Sequence, residues 1–166
     1  WGVIESRSFN SYKSNVEGVW KAVPAILKLF KTYNISATWA TVGMLMCKDF
    51  NEWNLFQDNN YPDYRNIKIN PYTLGELVKQ NEKLFFAQDL VNQIIDYENQ
   101  EIATHTFSHY YCQEYGSDIQ TFENDINSSI KISSELNIDL KSIVFPRNQV
   151  NEKYFQVLKK NNICIY

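Results

Sequence analysis

Residues 26–43 read ILKLFKTYNISATWATVG, a run in which a helix-like pattern is followed directly by a strand-like one. Apolar side chains recur at helical spacing in the first part, and the wider pattern predicts a helix over residues 16–33. Asn34 is a plausible left-handed stop for that helix. Residues 35–42 are rich in β-branched and aromatic side chains and end at Gly43, which predicts a buried strand.

The same order of helix and strand is repeated along the rest of the chain. The further predicted pairs are residues 90–95 with 101–104, 119–136 with 142–145, and 152–160 with 163–166. This alternation predicts an α/β fold, with parallel strands joined by right-handed helical crossovers, in one domain over residues 1–166. Periodicity does not decide between a barrel and an open sheet. In both, ligands gather at the carboxyl ends of the strands.

Residues 48–72 interrupt this order. They contain Asn, Asp, two of the four prolines and scattered aromatic residues, without a helical or strand period. Such a pattern predicts an irregular excursion from the fold. Long insertions of this kind often carry function.

Composition and charge exclude several classes of protein. The chain has 166 residues, 44% of them hydrophobic and 21% charged, which is typical of a folded globular protein. Its formal net charge of -3 provides no basic surface field, so neither nucleic acid nor anionic lipid is an expected partner. The longest apolar stretch, residues 35–47, is shorter than the ~20 residues of a membrane helix, and no membrane insertion is predicted. The sequence does not indicate an oligomeric state.

The three cysteines, Cys47, Cys112 and Cys164, are odd in number, far apart and outside any C-x-x-C motif. Neither a disulfide framework nor a cysteine zinc site is indicated, and a reducing compartment, the cytoplasm, is expected. No secretory signal is evident. Because the chain begins at Trp1 rather than at a methionine and ends in an apolar run over residues 163–166, we expect it to be part of a larger domain.

The only two histidines, His105 and His109, lie in the run EIATHTFSH at residues 101–109, at the carboxyl end of a predicted strand. A helix beginning there would bring both imidazoles to one face, where they could bind one metal ion through nitrogen at ~2.0 to 2.1 Å. Two histidines and one carboxylate leave coordination positions open for water and substrate. From spacing alone, capping of a helix or a buried hydrogen bond is an equal alternative.

The run HTFSH at residues 105–109, preceded by EIAT, resembles the H-(S/T)-x-x-H metal motif of the NodB-type polysaccharide deacetylase family. Residues 26–43 look like the helix and second strand of that family, which follow its catalytic acidic motif. Residues 144–148, with the sequence VFPRN, stand where the family has its arginine-and-proline motif. The resemblance extends over nearly the whole chain.

This resemblance implies a distorted (β/α) barrel of NodB type, incomplete in this chain, and hydrolysis of an N-acetyl or O-acetyl group on a carbohydrate. It implies a divalent metal held by His105, His109 and an aspartate, with zinc expected and cobalt, nickel or iron as alternatives. The metal would polarise the acetyl carbonyl and activate a bound water, while a nearby aspartate takes the proton. Arg147 matches the arginine that orients the catalytic acid by a bidentate contact. The implied biological setting is assembly of bacterial surface polysaccharide.

Residues beside these motifs are predicted to bind the acetylated carbohydrate. They are Tyr110, Tyr111 and Asn148. Tyrosine rings stack on sugars, and their hydroxyls form hydrogen bonds with sugar hydroxyls.

The sequence departs from the family in three places. No aspartate precedes Asp49, so the acidic pair of the first strand is not in the chain. The third motif reads Phe-Pro-Arg-Asn where the family has Arg-Pro-Pro-aromatic, and no third histidine supplies the family's general acid. The chain alone is therefore expected to be inactive. Two alternatives stay open: a non-catalytic carbohydrate-binding relative, and an amide hydrolase acting on a small non-sugar substrate.

Overall fold

A computed structural model describes residues 1 and 7–164, and in that part of the chain it shows an α/β arrangement. The elements are α1 (Phe9–Tyr33), β1 (Ala37–Thr41), α2 (Phe50–Phe56), α3 (Gly75–Gln80), α4 (Glu82–Phe85), α5 (Gln88–Ile95), β2 (Gln100–Thr104), α6 (Ile119–Glu135) and α7 (Phe155–Lys160). Short 3-10 turns cover Gly43–Met46, Ile67–Ile69, Pro71–Leu74, Pro146–Asn148 and Glu152–Tyr154. The predicted α/β class is therefore confirmed.

α1 is a helix of 25 residues that begins at Phe9, earlier than the predicted residue 16. It ends where the sequence predicted, because Asn34 has a left-handed backbone conformation with φ of 51°. The N–H groups of Asn34 and Ile35 donate to carbonyl oxygens that the helix end leaves open. Pro24 lies inside the helix, where it lacks the N–H that a helix interior normally uses.

β1 and β2 pair in parallel over five residues each, ending with Thr41 opposite Thr104. The predicted strand at residues 142–145 is reduced to one parallel bridge, between Thr104 and Ile143. Both backbone groups of Thr104 form 3.0 Å hydrogen bonds with that segment, so it still lies beside β2. The predicted strand at residues 163–166 lies partly outside the described residues, and its described part forms no strand.

The excursion, residues 48–72, holds more regular structure than predicted. α2 occupies its first part and is capped at its N-terminus by Asp49, whose side-chain oxygen accepts the N–H of Glu52 at 2.8 Å. A helix of seven residues is too short to show a clear period in the sequence, which explains the wrong prediction. The remainder consists of turns, in which Tyr61 and Tyr72 stack with ring centroids 4.4 Å apart.

Two clusters of buried side chains fill the interior. The first includes residues of α1 and β2, such as Leu27 and Ile102. The second includes residues of α6 and α7, such as Phe122 and Leu158. Ile130 of α6 packs against both clusters and so joins them. Among the described residues, none of the helices combines the length and the apolar character needed to cross a membrane.

Gly43 is the residue at which the loop after β1 meets the loop after β2. Its N–H donates to the carbonyl oxygen of Thr106 at 2.8 Å, and Met44 N–H donates to that of Phe107 at 3.0 Å. A Cβ atom on Gly43 would lie 2.9 Å from the Cα of Phe107 and 3.1 Å from Oγ of Ser129. The two loops therefore approach closely only because this residue is a glycine.

Gly43→Ala should lower the free energy of unfolding by about 1 to 3 kcal/mol, because the added methyl group overlaps the backbone of Phe107. Gly18→Ala is the matched control. A Cβ there meets nothing within 4 Å, and alanine favours the interior of α1 by roughly 1 kcal/mol. Urea unfolding should therefore show stability changes of opposite sign. Equal destabilisation by both substitutions would contradict the close approach at Gly43.

Candidate metal centre

His105 directly follows β2, and its backbone continues the sheet, with its N–H donating to the carbonyl oxygen of Thr41 at 2.8 Å. Residues 105–118 then form a loop, and His109 has a left-handed backbone with φ of 61°. No helix begins at this point, so the helical arrangement that would place both imidazoles on one face does not occur. The loop nevertheless brings the two imidazole rings together, with centroids 4.9 Å apart and planes inclined by 64°.

One nitrogen of each imidazole is engaged by the protein. His105 Nδ1 lies 2.7 Å from the carbonyl oxygen of Val144, and His109 Nδ1 lies 2.9 Å from the hydroxyl oxygen of Tyr111. Because a carbonyl oxygen only accepts, Nδ1 of His105 carries the proton and the lone pair is on Nε2. Metal-binding histidines usually have their second ring nitrogen bonded to the protein in this way. The Nε2 atoms are therefore the ones that could bind a metal.

Both imidazoles are kept neutral by their surroundings. Burial lowers the pKa of His105, and the hydrogen bond to the Val144 carbonyl opposes this effect. Burial also lowers the pKa of His109, to about 3, and the neighbouring His105 adds to the effect. The neutral imidazole is the form that binds a metal ion. At neutral pH neither ring carries the extra proton that would block coordination.

The loop between the histidines is held by Asp125, a residue of α6. Its Oδ1 accepts the N–H of Phe107 at 2.6 Å, and its Oδ2 accepts the N–H of Ser108 at 3.1 Å and also the Ser108 hydroxyl. Asp125 is only 4% exposed, so these charge-assisted bonds are shielded from water. One carboxylate thus determines the path of the chain from His105 to His109.

The sequence did not lead us to Asp125, although a signal was present. The residue lies on the buried face of α6, between Phe122 and Ile126. An aspartate in that position must find hydrogen-bond donors, because burying an unpaired carboxylate is very costly. Burial raises the pKa of Asp125 to about 6, whereas the bonds from Ser108 and Phe107 lower it. The carboxylate is therefore ionised at neutral pH.

Four of the eight described non-glycine residues with positive φ lie in this region. Four described residues with positive φ lie after helices or before β2 and belong to the type that tolerates this conformation best: Asn34, Asn99, Asn137 and Asn162. The other non-glycine residues with positive φ are Thr106, His109, Arg147 and Asn148. Thr106 is stabilised because its hydroxyl oxygen accepts the N–H of Tyr110 at 2.6 Å. Backbone strain of this kind is concentrated at functional sites.

Arg147 and Asn148, the predicted catalytic and substrate-binding residues of the third motif, are exposed on a turn. The turn directly follows residues 142–145, in which the carbonyl of Val144 contacts His105. The chain therefore brings the third motif to the same edge of the sheet as the histidines. The roles assigned to Arg147 and Asn148 stay predictions.

The two predicted substrate-binding tyrosines are both buried. Tyr110 has no exposed surface, and its ring packs edge to face on Phe122 with centroids 5.4 Å apart. Its hydroxyl is 2.8 Å from the hydroxyl of Thr121. The prediction that Tyr110 contacts substrate is therefore corrected, because its side chain is part of the core. Tyr111 is 4% exposed, and its hydroxyl contacts His109.

The excursion contributes a residue to this region that the sequence did not reveal. The hydroxyl oxygen of Tyr64 accepts the N–H of Tyr111 at 2.9 Å, across 47 residues of chain. Further along the same loop Gly116 has a positive φ of 97°, and a Cβ there would lie 1.9 Å from the carbonyl oxygen of Asp63. The excursion therefore packs closely against the loop that follows His109, at Tyr111 and at Gly116.

The described residues fit two positions of a metal centre. Two neutral imidazoles with available Nε2 atoms are suitable ligands for a divalent transition metal. Within residues 1 and 7–164, no group of three His, Cys, Asp or Glu side chains could hold a metal ion. A third protein ligand would therefore lie outside the residues that the structure describes.

The fold and the site together define an α/β protein with a histidine pair at the carboxyl ends of its parallel strands. The family model for polysaccharide deacetylase matches residues 17–165, which include both histidines and Arg147. The chain belongs to the polysaccharide deacetylase family, whose members share a NodB-type α/β fold and act on acetylated carbohydrates. The resemblance noted in the sequence is thereby confirmed. Neither the curated proteins nor the solved structures gave a match.

The raised pKa of Asp125 predicts a measurable pH dependence of stability. Between pH 3.8, the ordinary pKa of an aspartate, and about pH 6, the folded chain keeps a proton on Asp125 that the unfolded chain releases. The contribution of this group to the free energy of unfolding therefore falls as the pH rises through that window. Asp125→Asn does not titrate. The stability of the parent relative to this variant should fall by on the order of 2 to 3 kcal/mol from pH 4 to pH 7.

Urea unfolding at several pH values in this range measures the difference. Asp139→Asn, which removes an exposed carboxylate, is the control. The difference in free energy of unfolding between the parent and this variant should change little with pH. If the stability of the parent relative to Asp125→Asn rose with pH instead, the hydrogen bonds to Asp125 would affect its pKa more than burial does.

Proposed function

We propose that the chain carries the histidine ligands of a metal-dependent carbohydrate deacetylase, a hydrolase that removes acetyl groups from an acetylated carbohydrate. The observation that carries the proposal is the pair of imidazoles at the carboxyl ends of the strands. Their ring centroids lie 4.9 Å apart, and each Nδ1 is engaged by the protein, which leaves Nε2 as the atom that could bind a metal. Family membership supports the class of substrate. Zinc is the proposed metal, with cobalt, nickel or iron as alternatives.

Each residue of the proposed site has a defined task. His105 and His109 hold the metal, and their bonds to Val144 and Tyr111 restrict rotation of the rings. A divalent metal, when bound, supplies Lewis-acid activation of the acetyl carbonyl and of a water molecule. Arg147 orients the catalytic acid through a bidentate charge-assisted contact.

Substrate binding is proposed for the exposed part of the third motif. Asn148, next to Arg147, has an amide that both donates and accepts hydrogen bonds, as recognition of a sugar hydroxyl requires. Tyr110 is not available for this task because it is buried. The carbohydrate is therefore proposed to lie over the exposed turn after residues 142–145, beside the histidines.

The wider setting is proposed from the family resemblance. Residues 1–166 are taken as one domain, in which β1, β2 and residues 142–145 form part of a distorted (β/α) barrel of NodB type. The carboxylate ligand and the general base would come from groups outside the described residues. Assembly of bacterial surface polysaccharide is the proposed role. A location in the reducing cytoplasm is proposed from the number and spacing of the three cysteines in the sequence.

Removal of either histidine tests the site. The parent, reconstituted with zinc, should retain about one ion per chain after dialysis. His105→Ala and His109→Ala should each bind zinc at least about tenfold more weakly, because one ligand is lost. Tyr115→Ala changes a side chain of the same loop that is 78% exposed and should retain the parent's zinc content. Elemental analysis measures the ion, and acetate released from acetylated oligosaccharides by the full-length protein measures the reaction.

The possible outcomes separate the alternatives. Equal zinc in the parent and in both histidine variants would place the ion elsewhere and contradict the site. No bound metal in the parent, even after reconstitution, would contradict the hydrolase and favour a non-catalytic carbohydrate-binding relative. Metal binding by the full-length protein without release of acetate from any sugar would contradict the substrate class and favour a small non-sugar amide.

A further inference from the structure

We propose that Tyr111 is a positioning residue, whose hydroxyl holds the imidazole of His109 in the orientation that metal binding requires. The inference rests on the metal site of the proposed function and adds one residue to it. Tyr111 was predicted to bind substrate, but its burial and its contacts assign it a different task.

The Tyr111 hydroxyl contacts the imidazole of His109 directly. Tyr111 Oη lies 2.9 Å from Nδ1 of His109, and the two rings meet edge to face with centroids 5.0 Å apart. His109 has a left-handed backbone, which is unfavourable for a residue with a side chain. The hydrogen bond to Tyr111 restricts rotation of the His109 imidazole at a position where the backbone is strained.

Tyr111 is itself held in place by the excursion. Its N–H donates to the hydroxyl oxygen of Tyr64 at 2.9 Å, and the ring of Tyr64 packs edge to face against it, with centroids 5.9 Å apart. Tyr64 is buried as well. A positioning residue has to be rigid, and its rigidity comes from packing and from hydrogen bonds behind it. The chain of contacts from Tyr64 through Tyr111 to His109 supplies both.

The chemistry of imidazole gives this contact its effect on metal binding. A neutral imidazole has one protonated nitrogen, so Nδ1 carries the proton when Nε2 binds a metal. The hydroxyl oxygen of Tyr111 can accept that proton in a hydrogen bond, as the carbonyl oxygen of Val144 does for His105. Each histidine therefore has an acceptor for its Nδ1 proton, a backbone carbonyl for His105 and a side-chain hydroxyl for His109. Only the hydroxyl can be removed by substitution without altering the backbone.

Tyr111→Phe separates positioning from packing, because it keeps the ring and removes only the hydroxyl. Zinc affinity, measured by competition with a chromophoric chelator, should fall about 10- to 100-fold. The matched control is Tyr115→Phe, which removes a hydroxyl from an exposed tyrosine of the same loop and should keep the parent's affinity. A role in packing alone would leave the affinity of both variants unchanged.

Nitrogen-15 NMR of the zinc-bound protein provides a readout that packing would not change. The chain has only two histidines, so the imidazole region contains two sets of signals. The Nδ1–H proton of His109 should be visible in the parent, because its hydrogen bond slows exchange with water. In Tyr111→Phe that signal should broaden or disappear, whereas the corresponding signal of His105 should persist as an internal control.

A second variant keeps the test informative if Tyr111→Phe folds poorly. Tyr64→Phe removes the acceptor of the Tyr111 N–H and should weaken zinc binding by a smaller factor. In combination with Tyr111→Phe it should add no further loss, because its effect passes through the Tyr111 hydroxyl.

The outcomes distinguish this inference from the proposed function. Zinc affinity equal to that of the parent, with an unchanged His109 signal, would overturn the positioning role and leave the metal site intact. An equal loss of zinc affinity in Tyr115→Phe would also overturn the positioning role, since Tyr115 is exposed and the partner of His109 Nδ1 is Tyr111. Failure of the parent to bind zinc would overturn the proposed site itself, and the role of Tyr111 with it.

Discussion

The candidate site depends on the hydrogen bonds that the Asp125 carboxylate accepts from the backbone N–H groups of Phe107 and Ser108. A buried loop leaves such groups without the partners that a helix or sheet provides, and each unpaired group would cost roughly 1 to 3 kcal/mol. The carboxylate satisfies both groups at once, and its charge strengthens both bonds. With the middle of the loop fixed, the left-handed residues at either side, Thr106 and His109, are kept in conformations that they would not adopt alone.

Much of the fold could be predicted because its signals are local. Asn34 ends α1 with the left-handed cap that the sequence indicates, and α6 follows its apolar period over nearly the whole predicted range. The failures occur where tertiary contacts decide. α2 is too short to show a period, and residues 142–145 have the composition of a strand but form a single bridge. Composition indicates that a segment can be extended, whereas its neighbours decide whether a ladder forms.

The histidine pair could be predicted from spacing and resemblance, but the way in which it is assembled could not. A spacing of four residues suggests a helix, whereas the rings meet through a loop with a left-handed residue at His109. Asp125 and Tyr64 contact the loop from 17 and 47 residues away, and no local pattern indicates which partners they have at that range. Tyr110 shows the opposite error, because a residue beside a site in sequence can belong to the core in space.

The bond from the Tyr111 N–H to the Tyr64 hydroxyl has a consequence for native-state motion. A backbone amide within the sheet exchanges its hydrogen for deuterium when the sheet opens. This amide instead donates to a side chain of the excursion, residues 48–72, so its exchange requires only that the excursion separate from the loop after His109. The exchange rate of this single amide therefore records how often the excursion detaches while the sheet stays intact.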